Sequence, residues 1–242
     1  MYCIPNFTNC CSHWRAIQRQ VHAELDRELV AGRQVTYSDR KRLPYVEAVV
    51  LEAMRLAPVV PLALPHFTAV DVDVSSPATT TTETCQLTIP AGSIVIANLW
   101  SVGRDPDVWN DDVDVFRPER FLREVGTGVT QPANVSPDRI CSCPLVANPH
   151  KSDSSAEGVE DAVEGRSLVV DEKLIESFYP FSFGARRCVG ESLGRLQIFV
   201  FFATIMRSCR LLQVEGKPPP SDGETYGDVI RPAPYEIRVL PR

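Results

Sequence analysis

Long apolar runs are missing from this chain. The best of them, Leu196 to Ile205, is too short and too core-like to be read as a bilayer-crossing helix, since spanning takes about 20 residues. Met1 to His13 is interrupted by Pro5 and is neither long nor apolar enough to serve as an anchor. Cysteine is also sparse for a disulfide scaffold: eight residues in 242, with no signal peptide expected ahead of them, so they read as mostly reduced. Cys10-Cys11 with His13, and Cys141-x-Cys143 with His150, lack the two-residue gap that suits paired zinc thiolates. There is no basic excess either. With 25 Lys and Arg against 31 Asp and Glu, net −6, nothing in the balance suggests nucleic-acid binding. What remains is a chain that is 44% hydrophobic and long enough to bury a substantial core.

One segment stands out against this background. Phe181-Ser-Phe-Gly184-Ala-Arg186-Arg-Cys188-Val-Gly190 sets a cysteine between two glycines, two residues after an arginine, directly before an apolar stretch of helical character. A thiolate is stabilised by backbone N–H groups and by the positive end of a helix. Gly184 and Gly190 are expected to allow dihedrals and close approaches that a Cβ would forbid. The stretch from Gly190 to Met206 predicts a long, largely buried helix with Cys188 at its N-terminus. Cys188 is therefore a candidate metal-ligating thiolate, although a free cysteine also packs simply as a small apolar residue.

Two more segments belong with it. Pro44 to Leu56 has apolar residues at helical spacing, with Pro44 suited to the first turn and Pro58 beyond the end. Glu52 and Arg55 then share one helix face, a pair that taken alone reads equally well as a solvated surface bridge. Downstream, Trp109 introduces Asp114-Val-Phe116-Arg-Pro118-Glu119-Arg120-Phe121.

Together these motifs, in this order, resemble the cytochrome P450 family, of the animal microsomal type. The resemblance runs from about Trp14 to Arg242 and covers the C-terminal half of the family. It implies a mainly α fold with small β-sheets, an α+β architecture. It also implies haem, iron protoporphyrin IX, with Cys188 as axial ligand and Phe181, Gly184, Arg186 and Gly190 as the other residues of the binding signature. A guanidinium suits a haem propionate, which is the part assigned to Arg186. Glu52, Arg55 and Arg120 would form a buried structural cluster, tolerable only if all three are mutually paired. His66 would reach a propionate from a strand, or else sit on the surface at a strand end. Val59 to Leu64 would line an apolar substrate pocket.

Four regions follow from this reading. Residues 1–13 are an atypical N-terminal segment. Residues 14–122 carry the Glu-x-x-Arg helix, a β hairpin and the Pro-Glu-Arg-Phe segment. Within them an amphipathic helix from Trp14 places Ile17, Val21, Leu25 and Leu29 on one side, and Ser75 to Thr84 is a low-complexity loop. Residues 123–166, rich in Pro, Ser, Asp, Glu and Gly without periodicity, read as a disordered insertion or as the product of an imperfect gene model. Residues 167–242 hold the ligand loop, its helix and a closing hairpin whose tip, near Tyr226 to Ile230, touches substrate in the family.

The resemblance implies a haem-thiolate monooxygenase that inserts one oxygen atom from dioxygen into an apolar steroid, lipid or xenobiotic. NADPH-cytochrome P450 reductase, with cytochrome b5 as a further candidate, would supply electrons, and the endoplasmic reticulum membrane would be its location. Arg186, Arg187 and Arg195 lie on the face that meets the reductase in the family, or are simply solvated. The distal acid and alcohol that deliver protons in the family find no counterpart here, so no catalytic residue is assigned and activity of this chain alone is not expected. The alternative is a truncated, non-catalytic product that binds haem or a redox partner.

Overall fold

The computed structural model describes residues 11–76, 85–125, 167–217, 224–226 and 228–242. Its framework is three helices around one core. α1 spans Cys11–Glu28, α2 Pro44–Leu56 and the later, equally long α6 Glu191–Ser208. The i, i+4 series of α1 behaves as its pattern demands: Ile17, Val21, Leu25 and, just past the helix, Leu29 are all buried. α1 starts at Cys11, three residues ahead of the expected boundary, and His13 Nε2 lies 2.8 Å from the Phe116 carbonyl. A 3-10 helix, Tyr37–Arg42, leads into α2.

α2 is buried along most of its length and is the centre of the molecule. Its start shows how tertiary structure completes a local motif. Pro44 occupies the first turn as expected, but the capping residue is Leu43, which has no side-chain acceptor. The carboxylate of Glu24 on α1 supplies it, accepting from the amides of Tyr45 at 3.0 Å and Val46 at 2.8 Å. Burial raises the Glu24 pKa, against the opposing pull of those two N–H groups.

Between α2 and α6 the chain is short pieces. β1 (His66–Phe67) pairs antiparallel with β4 (Ile94–Val95), and β2 (Val72–Ser76) with β3 (Cys85–Ile89). Gly92, at φ +83°, makes the turn before β4 that Pro90 and Gly92 announce. Ser75 and Ser76 extend β2 into the segment expected to be loop, whose remainder lies outside the described residues. Two single-turn helices follow, α3 (Leu99–Val102) and α4 (Pro106–Trp109), then a 3-10 turn over Pro118–Phe121.

β5 (Leu122–Val125) pairs antiparallel with β6 (Ser167–Val170). Arg123 to Val125 therefore belong to a sheet and not to the insertion, which corrects the boundary drawn from composition. Two strands meeting in register bring Leu122 beside Val170 and Val125 beside Ser167. The rest of that segment, residues 126–166, lies outside the described residues. After β6 comes α5 (Glu172–Glu176), and then Phe178 completes an aromatic cluster with Trp109 and Phe121, ring centroids 5.5 to 6.0 Å apart.

α6 packs on α1 and α2 through Phe199, Ala203 and Met206. The largely buried helix expected here is buried on one side only: Leu193, Phe201 and Ile205 on its other side are exposed, because among the described residues the partners lie on one side. β7 (Cys209–Gln213) and β10 (Ile237–Pro241) form the closing antiparallel pair, and β8 (Glu224–Tyr226) and β9 (Val229–Arg231) form the small hairpin between them. α1 completes the edge of β7. Gln18 accepts from the Leu211 amide at 2.7 Å and donates to its carbonyl at 3.3 Å.

The architecture is α+β, mainly helical with small two-stranded sheets. No helix among the described residues is long and apolar enough to cross a membrane.

Candidate functional site

The segment Phe181 to Gly190 forms a tight loop ahead of α6. Ser182 at φ +64° and Gly184 at φ +77° turn the backbone, and a 3-10 turn runs over Gly184–Arg186. The loop then closes on itself, with the Cys188 amide donating to the Phe181 carbonyl at 3.0 Å. Gly190 precedes the first residue of α6, and the Glu191 amide reaches back to the Cys188 carbonyl at 3.3 Å.

The two glycines have different reasons to be there. Gly184 has nothing within 4 Å of where a Cβ would stand, so its left-handed backbone and not crowding selects it. Gly190 has an ordinary φ of −85°, and a Cβ there would sit 3.7 Å from the Cys188 sulfur. The expectation that the protein itself forbids a Cβ at residue 190 is corrected. What such a methyl would do is stand beside the sulfur and narrow the approach to it.

Cys188 is exposed, and so are its apolar neighbours Phe183, Val189 and Leu193. No hydrogen bond onto its sulfur forms among the described residues, so the amides expected to point at Sγ are not seen; the Cys188 amide itself goes to Phe181. No group of three His, Cys, Asp or Glu side chains gathers as a metal site among the described residues, which leaves Cys188 a single protein donor. Cys10, Cys141, Cys143 and His150 lie outside the described residues.

The arginines near the loop separate into two kinds. Arg186 and Arg187 are exposed. Arg195 is not part of a free basic face: its Nε pairs with Glu191 Oε1 at 2.9 Å, and its guanidinium lies over the Phe181 ring, 5.4 Å from the centroid.

Glu52, Arg55 and Arg120 come together in the core. Arg55 meets the Glu52 carboxylate through Nε at 2.7 Å and Nη2 at 2.9 Å, and Arg120 Nε adds a third bond at 2.9 Å. The side chains of Glu52 and Arg55 are 0% exposed and that of Arg120 is 2%. The Arg117 amide is a fourth donor to Glu52, at 2.8 Å. Two guanidinium groups on one carboxylate leave positive charge over, and it is spread onto backbone oxygens. Arg55 donates to Gly103 and Val113, and Arg120 to Trp109, Asp112 and Val115. Asp112, which the sequence reading passed over, adds a carboxylate 3.3 Å from Arg120 and 2.9 Å from Arg117. Gly103 is demanded by space: a Cβ would lie 2.7 Å from the Arg55 carbonyl.

His66 stands exposed on β1, opposite Val95 on β4. On β1, β4 and the residues beside them in sequence, Leu62, Leu64, Phe67, Ile94 and Ile96 are exposed apolar residues, an apolar wall. The Ile230 amide on β9 donates to the Val59 carbonyl at 2.8 Å, so the small hairpin closes against the beginning of that wall. His66 makes no direct bond to the Cys188 loop among the described residues. The Tyr226 side chain lies outside the described residues.

Comparison with known proteins settles what this arrangement belongs to. The family model for cytochrome P450 matches residues 10–140 and 161–239. The chain belongs to the cytochrome P450 family. Cytochrome P450 2U1 of Mus musculus is 28% identical over 226 residues, covering 93% of this chain and 32% of the relative. The steroid 17-alpha-hydroxylase/17,20 lyase of Oryzias latipes is 27% identical over 230 residues, 95% of this chain and 34% of the relative. A solved zebra fish cytochrome P450 with progesterone superposes with a TM-score of 0.65 at 26% identity, over 95% of this chain and 40% of that one. The chain spans about a third of the length of the curated relatives it matches.

For a cytochrome P450 the implied prosthetic group is haem, and the loop fits it. An exposed thiol on a closed turn, apolar residues exposed beside it and a glycine two positions on, where a Cβ would stand 3.7 Å from the sulfur, suit a largely apolar group that takes one protein donor.

Proposed function

We propose that this chain is the C-terminal portion of a microsomal haem-thiolate monooxygenase acting on an apolar small molecule, a steroid, lipid or xenobiotic. The observation that carries the reading is the exposed thiol of Cys188, held by the Phe181 to Cys188 backbone bond in a loop whose neighbouring apolar side chains Phe183, Val189 and Leu193 are exposed. When bound, a thiolate-ligated haem supplies dioxygen activation and insertion of one oxygen atom into the substrate.

In this reading Cys188 would hold the haem iron through its sulfur. Arg186 and His66 would hold the propionates. Phe181, Gly184 and Gly190 shape the loop. The apolar wall from Val59 to Ile96, closed at one end by the β8 and β9 hairpin, holds the substrate and keeps water from it. Glu52, Arg55 and Arg120 act on the scaffold and touch no substrate. A reductase using NADPH, with cytochrome b5 as a second donor, supplies electrons at the face bearing Arg186 and Arg187, in the endoplasmic reticulum membrane.

The test is the carbon monoxide difference spectrum of the reduced, haem-reconstituted chain beside Cys188→Ala. The expected result is a thiolate-type Soret band that the substitution abolishes. A spectrum unchanged by the substitution, or no haem uptake, overturns the assignment. Reductase titration then separates an enzyme from a binding product: NADPH-driven product formation supports the first, and salt-sensitive binding without turnover the second.

A further inference from the structure

We propose that Arg195 is a positioning residue for the Cys188 loop, seating the ring of Phe181 on the first turns of α6 so that the Phe181 carbonyl holds the Cys188 amide in place. The proposal deepens the haem-thiolate reading and rests on it for its functional meaning.

The loop is held lightly for a segment that would carry an axial ligand. Between residues 181 and 188 its backbone bonds are the closure from Cys188 to Phe181, the turn from Arg187 to Gly184 at 3.2 Å, and the Ser182 amide's bond back to Tyr179 at 3.0 Å. The closure depends on where Phe181 stands. That ring is half-buried, whereas Phe183 two residues later is exposed, and it packs closely on α6: a Cβ on Gly194 would approach it to 3.3 Å. Arg195 covers the ring, with its guanidinium carbon 5.4 Å from the centroid. Glu191, one turn earlier on the same helix, fixes the guanidinium through Nε, and the Arg195 side chain is only 16% exposed.

Such an arrangement favours ring contact over solvation, because a guanidinium is planar, weakly hydrated and stacks on aromatic faces. Arg195 also lies within electrostatic reach of Glu47, a carboxylate of α2 buried beside Arg40 at 3.2 Å. One side chain thus connects the ring at the loop's entry with the first turn of α6. Arg186 and Arg187 have no such ties among the described residues and remain the cations available to a partner.

The test uses amide hydrogen exchange on the haem-free full chain, so that its outcome does not depend on haem being bound. In Arg195→Gln the Cys188 amide is expected to exchange about tenfold faster, the order of effect set by loss of a partly desolvated cation–π contact. Amides within α2 should be unchanged. Arg195→Lys keeps the charge near Glu191 but not the planar contact, and should fall between the two. Arg187→Gln should match the parent. In the haem-loaded chain, Arg195→Gln should release haem to an acceptor protein faster than the parent does. Equal Cys188 exchange in Arg195→Gln and parent overturns the proposal, as does a uniform rise across α2, which would make Arg195 a general stabiliser. Failure of the parent to bind haem sinks the functional reading alone, since the exchange result stands without it.

Discussion

Glu52 and Cys188 are both polar centres of this fold, and they are built in opposite ways. Glu52 is 0% exposed and takes four donors from two arginine side chains and a backbone amide. Cys188 is exposed, lies in a loop closed by one backbone bond, and has uncovered apolar residues beside it. The first region is complete within the chain. The second is a surface with unused capacity. A buried charge must be paired by the fold itself, whereas a ligand seat must leave its donor unspent.

The largest effect expected is on the closed region. Replacing Glu52 by alanine strands two buried guanidinium groups and should cost about 3 to 5 kcal/mol, read as a lower urea midpoint for the whole chain. Cys188→Ala should shift that midpoint by no more than about 0.5 kcal/mol, as exposed substitutions do. A Glu52 variant as stable as Cys188→Ala would break the contrast.

Glu24→Ala comes next. It removes the side chain that caps α2 from α1 and should cost about 1 to 2 kcal/mol, the range of a lost helix cap. Exchange at Tyr45 and Val46 should rise with it. Gly184→Ala sharpens the other side: at φ +77° a Cβ costs about 1 to 2 kcal/mol, and the penalty should be confined to exchange in the Cys188 loop.

The smallest effect is in pH dependence. Burial, then the charge of Arg242, lowers the pKa of His22, with Arg210 acting the same way and Asp26 opposing. Its Nε2 has no hydrogen-bond partner among the described residues. The folded chain therefore binds this proton less well than the unfolded chain. The His22 contribution is fully present above the ordinary histidine pKa and is lost as pH falls through the lowered value. Unfolding midpoints measured from about pH 7 down to 5 should decline, and His22→Gln should flatten that part of the curve.

Much of the framework was legible because periodicity and burial obey simple rules. The spacing of Ile17, Val21 and Leu25 predicts the buried side of α1, and Pro44 and Pro58 bracket α2. Glu52, Arg55 and Arg120 were placed together only through resemblance, since a Glu-x-x-Arg pair on its own describes any exposed helix. Asp112 and Glu24 carried no local signal. One lies in an acidic stretch among several aspartates, and the other in a helix whose sequence says nothing about which amides it faces. Arg195 misled for the same reason: beside Arg186 and Arg187 it reads as a third member of a basic face, and the ring and carboxylate that occupy it are matters of geometry.

The sequence by itself determined which residues can do chemistry here, a lone thiol before a helix and a carboxylate with two arginines, because residue type and local spacing govern protonation, charge and helix position. Only the tertiary structure decided which of them are already satisfied. Pairing depends on distances between segments far apart in the chain, Glu24 with Tyr45, Glu52 with Arg120, and Gln18 with Leu211 across 193 positions, and no local pattern encodes those distances.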